Sequence, residues 1–145
     1  MQEQLKLDNQ LCFRFYTVSR LITQAYRPML DRLGLTYPQY LVMMVLWEKD
    51  HQPVNDIAKR LMLGTNTLTP LLKRMEADGV VIREKGQDDA RQVIVSLTRK
   101  GQEMEADAMC VPENMARNFA CSTVDPEKVL QLYPVLDALI AKLSQ

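Results

Sequence analysis

The sequence predicts a mainly α fold carrying one small β-hairpin, and three observations lead there. Residues 54–75 hold two short apolar-periodic helices separated by a break. Two β-branched runs, residues 80–85 and 91–97, follow directly, with a polar loop of residues 86–90 between them. Long amphipathic stretches at both ends carry more apolar face than one small domain can cover. A helical pair followed by a hairpin is a winged helix-turn-helix. The flanking N- and C-terminal helices are expected to pack as a two-fold dimer interface.

In chain order, Asp8 or Asn9 is placed to cap a first helix. Its apolar residues (Leu11, Phe15, Val18, Ile22, Ala25, Met29 and Leu33) recur at helical spacing for about six turns, and Phe13 and Tyr16 widen the face. Pro28 predicts a kink or local break near Ala25, because proline withholds an N–H and crowds the preceding turn. Gly34 ends the helix. Thr36-Tyr37-Pro38 is a cap with proline near the first helical position. The helix it opens reaches Glu48 with apolar residues nearly all round, so a central position is expected. Lys49 to Pro53 reads as a loop, and its lone His51 is assigned no role.

Val54, Ile57, Ala58 and Leu61 form the apolar face of the next helix. Leu68, Leu71, Leu72 and Met75 form that of its successor at i, i+3, i+4, i+7. Gly64, Thr65 and Asn66 lie between them as turn and capping residues. A start near Asn66 puts Pro70 just beyond the first turn. Thr69 as N-cap with Pro70 as the first helical residue is the rival reading, and the periodicity from Leu68 favours the earlier start. Gly79 closes the helix. The second helix of such a pair enters the DNA major groove. Thr65, Asn66, Thr67 and Thr69 then lie where base edges are read, and Lys73 and Arg74 where phosphates lie. The same residues also suit a solvated surface hairpin with an ordinary basic face.

Arg91, beside Asp88 and Asp89, is the basic residue near the hairpin tip. A wing arginine can enter a narrow minor groove; equally, it can pair with Asp89 and hold the loop. Thr98 caps a further helix that runs through Met104, Ala108 and Met109 towards Ala120, with Gly101 near its start and a kink or stop expected at Pro112. Asp125-Pro126 opens the last helix, striped by Val129, Leu132, Leu136, Leu139, Ile140 and Leu143. The expected division is a helical dimerisation region, residues 1–34 and 99–145, around a winged helix-turn-helix at 35–98. A dimer presents two recognition helices to a pseudo-palindromic duplex.

Composition sets bounds. Net charge is +0, which argues against indiscriminate coating of nucleic acid. The average hides a gradient: residues 59–100 hold nine basic against five acidic side chains, and residues 101–145 hold three against seven. Positive charge gathers where phosphate neutralisation needs it. No signal peptide or membrane span is read, and three widely spaced cysteines make neither a disulfide framework nor a zinc site. A cytoplasmic protein without membrane partner, metal or cofactor is expected, its thiols reduced at rest.

The long first helix, the helix-turn-helix, the wing with D-x-R (Asp89, Ala90, Arg91), the L-T-x-x-G element (Leu97, Thr98, Gly101) and two C-terminal helices resemble the MarR family of dimeric bacterial repressors over nearly the whole chain. Leu7 to Phe13 (LDNQLCF), Leu33 to Met43 (LGLTYPQYLVM) and Thr67 to Arg74 (TLTPLLKR) are similar to the organic-hydroperoxide repressor group. The resemblance implies a redox sensor at Cys12, with Tyr26 and Tyr37 hydrogen bonding to it. It further implies an organic hydroperoxide as inducer and, after oxidation, either an intersubunit disulfide with a resolving Cys121 or Cys110 or a cap by a small thiol. Gly64-Thr65-Asn66 departs from the acidic-Ser-Gly start usual in the group, so the operator sequence is expected to be this protein's own.

One geometric point stands without the family. Cys12 and Tyr26 are fourteen residues apart, roughly 21 Å on one straight helix at about 1.5 Å per residue, so a contact between them needs a partner subunit. The implied chemistry is attack of a thiolate on a peroxide O–O bond, with tyrosine hydroxyls and the helix N-terminus stabilising the anion. Apolar neighbours such as Phe13, Phe15 and Tyr16 would favour organic peroxides. Competing expectations are an inert buried thiol in a repressor released by a small aromatic ligand, and a thiol peroxidase enzyme. The winged fold favours a regulator over an enzyme.

Overall fold

A computed structural model describes residues 2–120 and 123–145. The chain divides into two units, Met1–Met109 and Cys110–Gln145. The first holds helices α1 (Leu11–Leu33), α2 (Tyr37–Glu48), α3 (Val54–Leu61), α4 (Thr65–Ala77) and α5 (Arg99–Ala108), with strands β1 (Gln52–Pro53), β2 (Val81–Lys85) and β3 (Val93–Leu97). The second holds α6 (Cys110–Ala120) and α7 (Pro126–Leu143).

Two 3-10 turns, Glu3–Leu5 and Leu7–Asn9, precede α1. Asp8 and Asn9 do not cap it. Gln10 holds the N-cap position without a side-chain cap bond, and the Asn9 amide instead donates to the Glu3 carbonyl at 2.7 Å. The expected break near Ala25 is absent, since α1 is helical throughout residues 11–33. Pro28 removes one N–H bond and leaves the hydrogen-bonded turns around it in place. Gly34 ends the helix in the left-handed region, φ 70°, its N–H donating to the Asp31 carbonyl.

α2 opens with a full capping box. The Thr36 hydroxyl accepts from the Gln39 N–H, and the Gln39 side chain accepts from the Thr36 N–H at 3.0 Å. That bond satisfies Gln39, which is buried. As expected of a central helix, α2 buries Tyr40, Val42, Met43, Val45 and Leu46, and it packs against α1, α3, α4 and α5.

The segment after α2 is not simply a loop. Gln52 and Pro53 pair antiparallel with Val95 and Ile94, giving a three-stranded sheet in the order β1-β3-β2. His51, given no role from sequence, adopts φ 57° and places Nδ1 2.7 Å from the hydroxyl of buried Ser96. Asp50 Oδ1 accepts from the Leu97 N–H at 2.8 Å. Two polar side chains bonded across 45 and 47 residues of sequence therefore fasten this turn to β3.

The wing register runs from Val81↔Leu97 to Lys85↔Val93. The helix after it stops at Met109 and restarts at Cys110. This is the stop expected of Pro112, which lacks the N–H that would continue the helix from Ala108. In α6, Val111 and Met115 are buried. The Asp125 side chain caps α7, accepting from the Glu127 N–H at 3.0 Å. No residue of α7 is buried, and Leu130, Leu132, Tyr133, Leu139, Ile140 and Leu143 are all exposed. No helix among the described residues is long and apolar enough to cross a membrane.

Candidate DNA interface and thiol site

The turn between α3 and α4 is made by Met62, Leu63 and Gly64, not by Gly64, Thr65 and Asn66 as expected. Met62 takes the left-handed conformation, φ 58°, and the Leu63 N–H reaches back to the Ala58 carbonyl at 2.9 Å, the six-to-one closure of a helix C-terminus. Methionine gives no sequence signal for this conformation. Thr65 and Asn66 are already helical, with Gly64 at the N-cap. The earlier of the two starts considered is therefore the real one, and Pro70 lies inside α4.

α4 buries Leu68, Leu71, Leu72 and Met75. That fixes its rotation and leaves Thr65, Asn66, Thr67, Lys73 and Arg74 exposed, with Thr69 half-buried. The residues assigned to DNA on this helix thus lie on its outward side, and Thr65 and Thr69 also line the cleft towards the wing.

The wing tip depends on Gly86. A Cβ there would stand 2.6 Å from the Asp89 carbonyl oxygen, so no other residue fits the loop closed by the Gly86 N–H to Gln92 bond. Arg91 pairs with Asp89, Nε to Oδ1 at 3.2 Å, yet its side chain remains 93% exposed. The pair therefore holds the arginine at the tip without hiding it.

Sequence reasoning missed a second arginine. Arg83 of β2 donates its backbone N–H to Glu76 of α4 at 2.8 Å and its Nη2 to the same carboxylate at 3.2 Å. The backbone N–H bond first, then the guanidinium bond, lowers the Glu76 pKa from its ordinary value. Glu76 and Arg83 are seven residues apart, across a helix end and a strand start, so no helical or strand periodicity marks them as partners.

The far end of α4 is joined to α5 by the residues of L-T-x-x-G. The Thr98 hydroxyl donates to the Gly79 carbonyl at 2.6 Å and accepts from the Gly101 N–H at 3.1 Å. The Thr98 N–H donates to the Val80 carbonyl at 3.1 Å, and Lys100 Nζ donates to that of Asp78 at 2.9 Å. Trp47 Nε1 donates to the Gly101 carbonyl at 3.0 Å.

Cys12 is exposed at the second position of α1. The Tyr26 and Tyr37 rings meet at 4.9 Å. Because α1 is unbroken, Cys12 stays about 21 Å along the axis from Tyr26, and one chain does not assemble the three. Tyr40, overlooked in the sequence, completes the aromatic cluster. It is buried, 6.0 Å from Tyr26 and 6.3 Å from Tyr37, and it stacks edge-on to Trp47 at 6.4 Å. Its i, i+3 spacing from Tyr37 was the available signal. Phe13, Phe15 and Tyr16, expected around the thiol, are exposed on α1. Cys110 is exposed in α6, and Cys121 lies outside the described residues.

Residues 24–108 match the family described as transcriptional regulator SarA/Rot. Over 143 residues the chain is 39% identical to the organic hydroperoxide resistance transcriptional regulator of Bacillus subtilis (strain 168), covering 99% of this chain and 95% of that one. Among solved structures it is similar to AbfR of Staphylococcus epidermidis. The reduced protein bound to DNA is 42% identical, covers 98% of each chain and superposes with a TM-score of 0.76. The disulfide-formed protein is 44% identical, covers 96% of each chain and superposes with a TM-score of 0.66.

Proposed function

The chain belongs to the MarR/SarA-type family of winged-helix transcriptional regulators, within the organic-hydroperoxide repressor group, and on that premise we propose how it works. It is a homodimeric repressor that binds pseudo-palindromic operator DNA when reduced and releases it once an organic hydroperoxide has oxidised Cys12. The observation that carries this reading is the disposition of Cys12 and the tyrosines. An exposed thiol stands at the start of α1, and the Tyr26–Tyr37 pair stands far along the same unbroken helix. Two antiparallel copies of α1 would bring each thiol to the other chain's tyrosines. The exposed apolar residues of α1 and of α7 supply surface for such a dimer.

The chemistry is a two-electron oxidation. The Cys12 thiolate attacks the distal peroxide oxygen, the O–O bond breaks, and the alkoxide leaves as alcohol after taking a proton, so that sulfur becomes a sulfenic acid. The tyrosine hydroxyls donate hydrogen bonds to the thiolate. A second thiol, that of Cys121 or Cys110 from the partner or of a small molecule, then displaces water and forms a disulfide. Either product would shift α1 and the dimer interface. Because α5 is stitched to the end of α4, a shift passed to α5 would carry the recognition helices off the spacing that fits successive major grooves. Each thiol reports once per oxidation, so the protein acts as a regulator rather than an enzyme, and its place is with the DNA in the cytoplasm.

Thr65, Asn66, Thr67 and Thr69 contact the operator from the start of α4, Lys73 and Arg74 meet phosphates, and Arg91 enters the minor groove. The test is operator binding before and after cumene hydroperoxide, followed by mass analysis of Cys12, Cys110 and Cys121. Loss of binding with Cys12 oxidised, and persistent binding in Cys12→Ser, is the expected result. Release with Cys12 unmodified would instead favour a small-molecule effector. Sustained peroxide turnover without operator binding would favour an enzyme.

A further inference from the structure

We propose that the cleft between the recognition helix and the wing seats one backbone phosphate of the operator, with Arg83 as its principal donor and Thr65 and Thr69 beside it. The proposal rests on the DNA-binding reading above and adds a contact that reading does not contain. The cleft is an open space of about 190 Å³ whose polar lining comes from Asn55, Thr65, Thr69, Arg83, Arg91 and Gln92. No carboxylate lines it, and two of these six side chains are cationic. Thr65 and Thr69 are i, i+4 neighbours and present both hydroxyls on one face of α4.

Arg83 is the distinctive member. Glu76 holds its Nη2, while its Nε is buried without a hydrogen-bond partner among the described residues. A buried guanidinium N–H left without an acceptor is costly. Nε itself has almost no accessible surface, so an anionic oxygen in the cleft would supply the acceptor through a small shift of the Arg83 side chain, which is 22% exposed. Guanidinium geometry favours two parallel bonds to phosphate. Glu76 is a positioning residue here: it grips the Arg83 backbone and one guanidinium nitrogen together, so the remaining edge has a fixed place.

The placement also agrees with the path of DNA. α4 is the element that enters the major groove and the wing tip the one that reaches the minor groove, so the strand dividing the two grooves passes between them. A phosphate bound there would set the register of helix against wing without reading sequence.

The experiment uses the full-length reduced protein and a duplex of about 30 base pairs selected by it from a randomised pool. Phosphates are replaced one at a time by neutral methylphosphonates. Wild type is expected to lose about tenfold in affinity at one position per half-site, between the major- and minor-groove contacts. Arg83→Gln, and Glu76→Gln with Arg83→Gln together, are expected to lose about as much on the unmodified duplex and nothing further at that position. The salt dependence should fall by about one phosphate contact. Thr69→Val, nearly isosteric, should show a smaller loss at the same position and keeps the test open should Arg83→Gln fold poorly. Additive losses at every position would overturn the proposal. So would wild-type affinity in the double variant, since Arg83 would then serve only to hold Glu76. If wild type selects no duplex at all, the DNA-binding reading itself fails, a result distinct from either.

Discussion

Gly101 lies against the backbone carbonyl oxygen of Val80 so closely that a Cβ on it would fall well inside van der Waals contact. The neighbour is backbone and cannot swing aside. This contact sets the distance between the end of the recognition helix and the start of α5, and it gives the glycine of L-T-x-x-G its physical reason. Gly101→Ala should destabilise the fold by about 1–3 kcal/mol, as overpacking does. A thermal melt should show a fall of several degrees, with operator affinity falling alongside because the end of α4 is displaced. An unchanged melting temperature would mean that the two helices separate freely, and that α5 does not carry α4 with it.

The long separation of Cys12 from Tyr26 on one helix makes a sharper demand. In a heterodimer of a Cys12→Ser chain and a Tyr26→Phe/Tyr37→Phe chain, the one remaining thiol should face the intact tyrosines of the other chain. It should be oxidised by cumene hydroperoxide at the wild-type rate. The Tyr26→Phe/Tyr37→Phe homodimer should react about tenfold or more slowly, the cost of a lost hydrogen bond to the reacting thiolate. Equal, slow rates in both would place the tyrosines in the same chain as their thiol, and equal rates at the wild-type value would place them outside the site.

Glu76 gives the acid dependence. Its pKa is lowered in the folded chain, first by the Arg83 backbone N–H and then by the guanidinium. Its contribution to stability is therefore present above the ordinary carboxylate range and is lost as pH falls through the lowered folded value. Urea unfolding of wild type should weaken more steeply on acidification than that of Glu76→Gln, the two curves converging at low pH. Parallel curves would show that the bond to Arg83 does not survive in solution.

Arg91 is exposed and held by Asp89, so the ion pair and a minor-groove role coexist. Arg91→Ala should weaken operator binding about tenfold, most where A·T steps narrow the flanking minor groove. Uniform affinity across such flanks would leave Arg91 as a loop fastener alone.

By itself the sequence determined the elements whose information is local. Apolar spacing placed α4 and the wing, and the Thr36-Tyr37-Pro38 cap placed α2. Thr36, Gly34, Gly79, Thr98 and Asp125 marked their ends, because caps and left-handed residues act within one turn of themselves. The motifs pointed to Cys12, Tyr26 and Tyr37 before any of them had a position. Only the tertiary structure decided what depends on distant partners. β1 exists because Gln52 and Pro53 find Val95 and Ile94 more than forty residues away. Met62 turns left-handed where α3 ends and the chain turns towards α4. Pro28 leaves α1 unbroken. Tyr40 joined the tyrosine pair, and Arg83 met Glu76, through packing that brings helix to helix and helix to strand. A periodicity records which side of an element is buried. It does not record what that side will be buried against, and both the tyrosine cluster and the cleft beside the recognition helix are made of that second kind of information.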